Sequence, residues 1–218
     1  MTGKTSRVSD ITTNYDSVVK GSVSVYSDKA VSFFGLPGYA VIVEPLRTEK
    51  QEITVSIEYS DLTFRMSDGR GLHIEVEAHV SKDDVLRFCG YHVDLARKYK
   101  REFVTVVFAR KSIKKPFIAQ GMLRFEPQIV YHSDYDADEL LGKIVNQIKL
   151  GIPINELELI HLPLFKSEKY KPEELLKEAV AIVRDLPADE DTKMKLAAML
   201  IVVSNKIVSK DILDEIWE

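Results

Sequence analysis

Four residues on one short stretch have types and spacing suited to phosphoryl chemistry. Between positions 71 and 80 the chain alternates, so His73, Glu75, Glu77 and His79 fall on one side of a strand. Leu72, Ile74, Val76, Ala78 and Val80 fall on the other. A preceding alternating run, 59–66, sets Tyr59, Asp61, Thr63 and Arg65 apart from Leu62, Phe64 and Met66. The two runs flank Ser67-Asp68-Gly69-Arg70-Gly71, and an Asp-Gly pair between alternating runs predicts a hairpin. If Ser67, Asp68 and Gly69 form a three-residue loop, partners have numbers summing to 136, and Asp61 faces Glu75 with Tyr59 facing Glu77. A two-residue Asp68-Gly69 loop offsets the faces instead. Opposed carboxylates repel unless neutralised, and a divalent cation such as Mg²⁺ does this while activating water. The plain alternative is a solvated sheet face of alternating charges.

Elements must hold this hairpin in place. A helix is predicted over 16–34, ended by Gly35, Pro37 and Gly38. Strands are predicted over 39–46, 53–58, 59–66 and 72–80. The period then becomes helical over 82–100, with Ser81 and Asp84 as an N-terminal cap. The run Phe103-Val-Thr-Val-Val-Phe-Ala109 predicts a central strand buried on both faces, and a further strand follows near 122–131. The order gives an α/β core with a mixed sheet. Helices over 136–149, 155–161, 172–185, 188–204 and 209–217 make up the rest, punctuated by Pro153, Pro163, Pro172 and Pro187. The expected division is a polar arm at 1–14, a core at 15–133 and a helical extension at 134–218.

The segment from Asp61 through Asp68-Gly69 to His73-Ile-Glu75-Val-Glu77 resembles the active-site hairpin of the recombination-promoting nuclease / putative transposase (Rpn) family, within the PD-(D/E)XK nuclease superfamily. Arg87 and Tyr91 on the following helix, the step from Val85–Lys100 into Phe103–Phe108, and the segments 136–141 and 159–166 also match, over roughly residues 15–166. The resemblance implies a restriction-endonuclease-like core and a Mg²⁺- or Mn²⁺-dependent DNA endonuclease. Asp61 and Glu75 would hold the metal, with the Val76 carbonyl as an added ligand. Arg87 and Tyr91 would contact phosphate or brace the carboxylates. The chain departs at position 77, where the superfamily usually has Lys and this family often Gln. Glu77 can orient water or act as a third acidic group, but it cannot stabilise negative charge. Lys82 is the candidate displaced cation. The alternative is a catalytically impaired nuclease-like module that binds nucleic acid or a protein partner.

Net charge is −4, which excludes global basic attraction to nucleic acid. A local patch of Arg97, Lys98, Lys100, Arg101, Arg110, Lys111, Lys114 and Lys115 is the expected DNA contact. The plain reading of those residues is a cationic helix end and a solvated loop. The single cysteine, Cys89, excludes an internal disulfide and a cysteine-based zinc site. His73 and His79 share the face of the two glutamates and could suggest a metal, but both are read as surface or hydrogen-bonding residues, and His92 as core. No membrane span is expected, and the chain reads as cytoplasmic. The amphipathic tail helices offer a face for a second copy.

Overall fold

The structure is a computed structural model of the chain, and it describes residues 15–36, 40–46, 62–111, 117–205 and 207–217. The predicted helix 16–34 is two helices, α1 (Tyr15–Val25) and α2 (Ser27–Phe33). The break divides the chain as well. One compact unit is Ser27–Ser133; the other joins Asp134–Glu218 to the chain up to Tyr26. α1 therefore groups with the C-terminal helices and not with the 15–133 core that the sequence suggests. Gly21 and several serines give this stretch weak helix propensity, so packing decides where it stops.

The Ser27–Ser133 unit is α/β. Its strands are β1 (Ile42–Pro45), β2 (Leu62–Met66), β3 (Gly71–His79), β4 (Phe103–Lys111), β5 (Ile118–Gln120), β6 (Leu123–Phe125) and β7 (Gln128–Tyr131), with α3 (Lys82–Tyr99) between β3 and β4. The main sheet has the order β1-β2-β3-β4-β7. It is mixed: β1-β2-β3 is an antiparallel meander, and β3, β4 and β7 run parallel. Parallel neighbours need a crossover, which α3 supplies between β3 and β4. The predicted strand 122–131 is interrupted at Glu126-Pro127, where proline has no N–H for the ladder. The predicted strand 53–58 lies outside the described residues.

β4 is buried on both faces, as its apolar run predicts. On one side Phe108 packs edge-on to Phe33 and Phe34, with ring centroids 5.5 Å apart in each pair. On the other, Val107 and Ala109 join Phe88 of α3, Ile129 and Tyr131 in one cluster. Each such side chain removed from water contributes about 1.5–3 kcal/mol, so both layers fix the sheet.

The hairpin turn takes its three-residue form. Leu62↔Ile74, Thr63↔His73, Phe64↔Leu72 and Arg65↔Gly71 are partners. Gly69 has φ +90°, a region open to glycine. Asp68 braces the turn by accepting from the Arg70 backbone N–H at 3.0 Å and its Nε at 2.8 Å.

The second unit is helical: α1, then α4 (Ala137–Lys149), α5 (Glu156–His161), α6 (Pro172–Asp185), α7 (Glu190–Ser204) and α8 (Lys210–Trp217). Asp136 caps α4 by accepting from the N–H groups of Asp138 and Glu139. Pro172 occupies the first turn of α6, where a missing N–H costs nothing. Among the described residues no helix is long and apolar enough to cross a membrane.

Candidate functional site

The face of β3 that carries His73, Glu75 and Glu77 is the face covered by α3. Glu75 and Glu77 are the ladder partners of Val107 and Ala109, and both of those pack against Phe88. α3 is placed there by its own pattern: Val85, Phe88, Cys89 and Leu95 are buried along one stripe. The face is therefore not a solvated one. His73 is fully buried and Glu75 is 3% exposed.

Such groups stay buried only with partners. His73 Nε2 lies 2.9 Å from Glu75 Oε1. Thr63 and Thr105, both buried, flank His73 as its partners on β2 and β4. Thr105 Oγ1 is 2.9 Å from His92 Nδ1 of α3. The Tyr91 ring stands edge-on to His73 at 6.2 Å between centroids. A polar seam thus runs beneath α3. Within it, burial and then the neighbouring His73 imidazole hold the His92 pKa below its ordinary value.

Glu77 lies one row nearer the carboxyl end of the strand and is half-buried. Its Oε1 accepts from Arg87 Nη2 at 2.5 Å. Arg87 Nη1 also stands 3.2 Å from Asp84. Asp84 in turn accepts from the N–H and O–H of Ser81, at 2.9 and 2.7 Å. Burial works against the Asp84 carboxylate, but the Ser81 hydrogen bonds and Arg87 prevail and leave its pKa below the usual range. The chain Ser81–Asp84–Arg87–Glu77 joins the helix start to the strand end. Lys82 is exposed on the first turn of that helix.

The structure thus gathers Glu75, Glu77, Arg87 and Tyr91, with Lys82 on the same first turns of α3. Asp61 lies outside the described residues, as do Lys114 and Lys115. The expected basic patch is not continuous. Lys98 and Arg101 precede β4, and Lys111 ends it. Eight strand steps of about 3.3 Å separate Phe103 from Lys111, roughly 26 Å.

Sequence reasoning missed the depth of His73 and the roles of Thr63 and Thr105. A signal for Thr105 existed: it is the one hydroxyl inside an otherwise apolar central strand. His132 is buried against the Phe108 ring at 4.7 Å. In the helical unit, His161 Nδ1 lies 2.9 Å from the Leu157 carbonyl oxygen.

Glu75 and Glu77 offer carboxylate oxygens, the donor chemistry of a hard cation. Among the described residues no group of three or more His, Cys, Asp or Glu is arranged to hold a metal ion. No family model, curated protein or solved structure matches the chain.

Proposed function

We propose that the protein is a metal-dependent DNA endonuclease hydrolysing phosphodiester bonds, similar to the Rpn family and built on a restriction-endonuclease-like core. The observation that carries this reading is the hairpin register, whose pairs all sum to 136. The proposal sets Asp61 opposite Glu75, the next step of that ladder. The location supports it too: Glu77 and the start of α3 lie toward the carboxyl ends of the parallel strands, where open α/β sheets bind ligands.

In this reading Asp61 and Glu75 would hold Mg²⁺ or Mn²⁺, with the Val76 carbonyl near. The bound ion supplies an activated water and offsets charge developing on phosphorus. His73 holds the Glu75 carboxylate in one orientation. Arg87 does the same for Glu77, which orients water as a third acidic group. Lys82 supplies a cation for the phosphate, and Tyr91 buttresses His73. DNA backbone contact would belong to Lys111, the last residue of β4, and to Lys114 and Lys115, which follow it in sequence. Lys98 and Arg101 would meet a separate stretch of backbone.

The test is cleavage of supercoiled plasmid with Mg²⁺ or Mn²⁺. Wild type should cut, and Asp61→Ala and Glu75→Ala should each lose at least about a hundredfold in rate, by analogy with loss of a charge-stabilising group. Melting curves keep loss of fold apart from loss of chemistry. Equal cutting by wild type and Glu75→Ala would sink the reading.

A second reading has its own observation. Glu75 is enclosed against His73, and Glu77 is engaged by Arg87. Those contacts favour a nuclease-like module that binds nucleic acid or a protein partner without cutting. DNA binding by a folded wild type that cuts with neither metal would support it. Restored cutting by Glu77→Gln would then locate the defect at position 77.

A further inference from the structure

Between β4 and β7 the chain makes an excursion that takes no part in the main sheet. β5 and β6 form a separate antiparallel pair, with Ile118↔Phe125, Ala119↔Arg124 and Gln120↔Leu123 as partners. The two-residue turn is Gly121-Met122. Gly121 has φ +59°, which such turns ask of their first central residue. The root of this hairpin is anchored. Phe125 packs on the core cluster under α3, and its ring centroid is 5.2 Å from that of His92.

The tip has the opposite character. Met122 is fully exposed, and Phe117 and Leu123 are each nearly half exposed. Alternation puts Phe117 and Arg124 on the face away from Phe125, and Arg124 Cζ is 5.8 Å from the Phe117 ring centroid. Arg124 also pairs with Glu126 at 3.0 Å, an exposed contact that solvent or phosphate can replace. The sequence from Arg110 to Phe125 holds five cations and no carboxylate, so the rest of the chain carries −9 of the net −4. A hairpin anchored at its root thus raises an apolar point within a cationic stretch of an acidic protein. Apolar side chains of this kind, backed by arginine, enter between base steps of duplex DNA and kink it.

We propose that the β5–β6 hairpin is a DNA wedge: Met122 inserts between stacked base pairs while Arg124 engages the adjoining backbone. This rests on the nucleic-acid part of the function proposed above and extends it to a site that the hairpin 62–79 does not contain. The charge complementarity selects DNA. An anionic membrane would share that attraction, so vesicles form the second arm of the test.

Full-length protein is titrated against a duplex carrying 2-aminopurine, in EDTA so that no cleavage occurs. Wild type should raise the fluorescence severalfold as the probe unstacks. Met122→Ser should abolish that rise and weaken binding about tenfold, the scale of a lost base-stacking contact, while Met122→Leu retains both. Arg124→Ala should weaken binding and lower the salt slope by about 1. The proposal is overturned if Met122→Ser matches wild type in both readings, or if wild type does not bind the duplex. It is also overturned if phosphatidylserine vesicles, and not DNA, bind in a Met122-dependent way. A Met122-dependent signal from a protein that cuts no plasmid would leave the wedge standing and remove the nuclease reading alone.

Discussion

Gly71 shows how one atom constrains the hairpin. It opens β3 and is the ladder partner of Phe103 on β4. A Cβ built on it would fall inside the space of the Phe103 ring. Its φ is not positive among the glycines of the turn region, so the requirement is close approach and not backbone freedom, contrary to the turn role its sequence setting suggests. Gly71→Ala should cost about 1–3 kcal/mol, the range for overpacking a filled site. Urea unfolding of the single variant and of the Gly71→Ala, Phe103→Leu pair checks the cause. The pair should be less destabilised than the two single changes sum to, because the smaller side chain relieves the clash. Strict additivity would put the cost elsewhere.

α3 is the element on which the site depends, and its ends are where it is vulnerable. Ser81 and Asp84 form a reciprocal cap at its start. Ser81→Ala should lower stability by about 1 kcal/mol, and it should loosen Asp84 and hence the Arg87–Glu77 contact. At its other end Lys100 has φ +51°, the one positive φ outside glycine among the described residues. Lys100→Gly should raise stability by about 0.5–1 kcal/mol and Lys100→Val should lower it by a similar amount, since a β-branched side chain resists this region. Thermal melts of the three proteins give the order, and a Val variant as stable as the Gly variant would refute the cap assignment.

The same element marks what the sequence made legible. Period, cap and apolar stripe set α3 within a residue of 82–100, and alternation with an Asp-Gly turn set the hairpin and narrowed its register to two choices. β5 was not legible, because three residues are too few for a period. The enclosure of Glu75 was not legible either. Alternation assigns a side chain to a face, whereas what covers that face depends on where α3 docks, a tertiary fact. The break at Tyr26 belongs with it: weak local propensity on both sides left the choice to packing.

Stability of the whole molecule against acid depends on a group remote in sequence from the hairpin. His161 is fully buried in the helical unit. Burial pushes its pKa from 6.5 down to about 4, against a smaller opposing effect of the Leu157 carbonyl. The folded protein thus keeps this ring neutral at pH values where the unfolded chain binds a proton. Between about pH 6.5 and 4 the unfolded state carries more protons, so acidification favours unfolding. A group with a shift of this size should remove about 2 kcal/mol of stability between pH 7.5 and 5. His92, whose pKa is also depressed, acts with the same sign. The depressed carboxyls act in a different window. Asp68 is held low by Arg70, and Asp138 and Asp189 by hydrogen bonds from Ser167 and Thr192. Their ordinary value is 3.8, so their contribution is present above it and is lost only as pH falls further. The histidine effect is therefore separable. Urea unfolding at pH 7.5 and 5 should show a loss in wild type that His161→Gln reduces by about 2 kcal/mol. An NMR titration of the His161 ring in the native protein supplies the check without substitution. A midpoint near 6.5 there, or an unchanged pH dependence in His161→Gln, would show that this ring is not sealed from water as the structure has it.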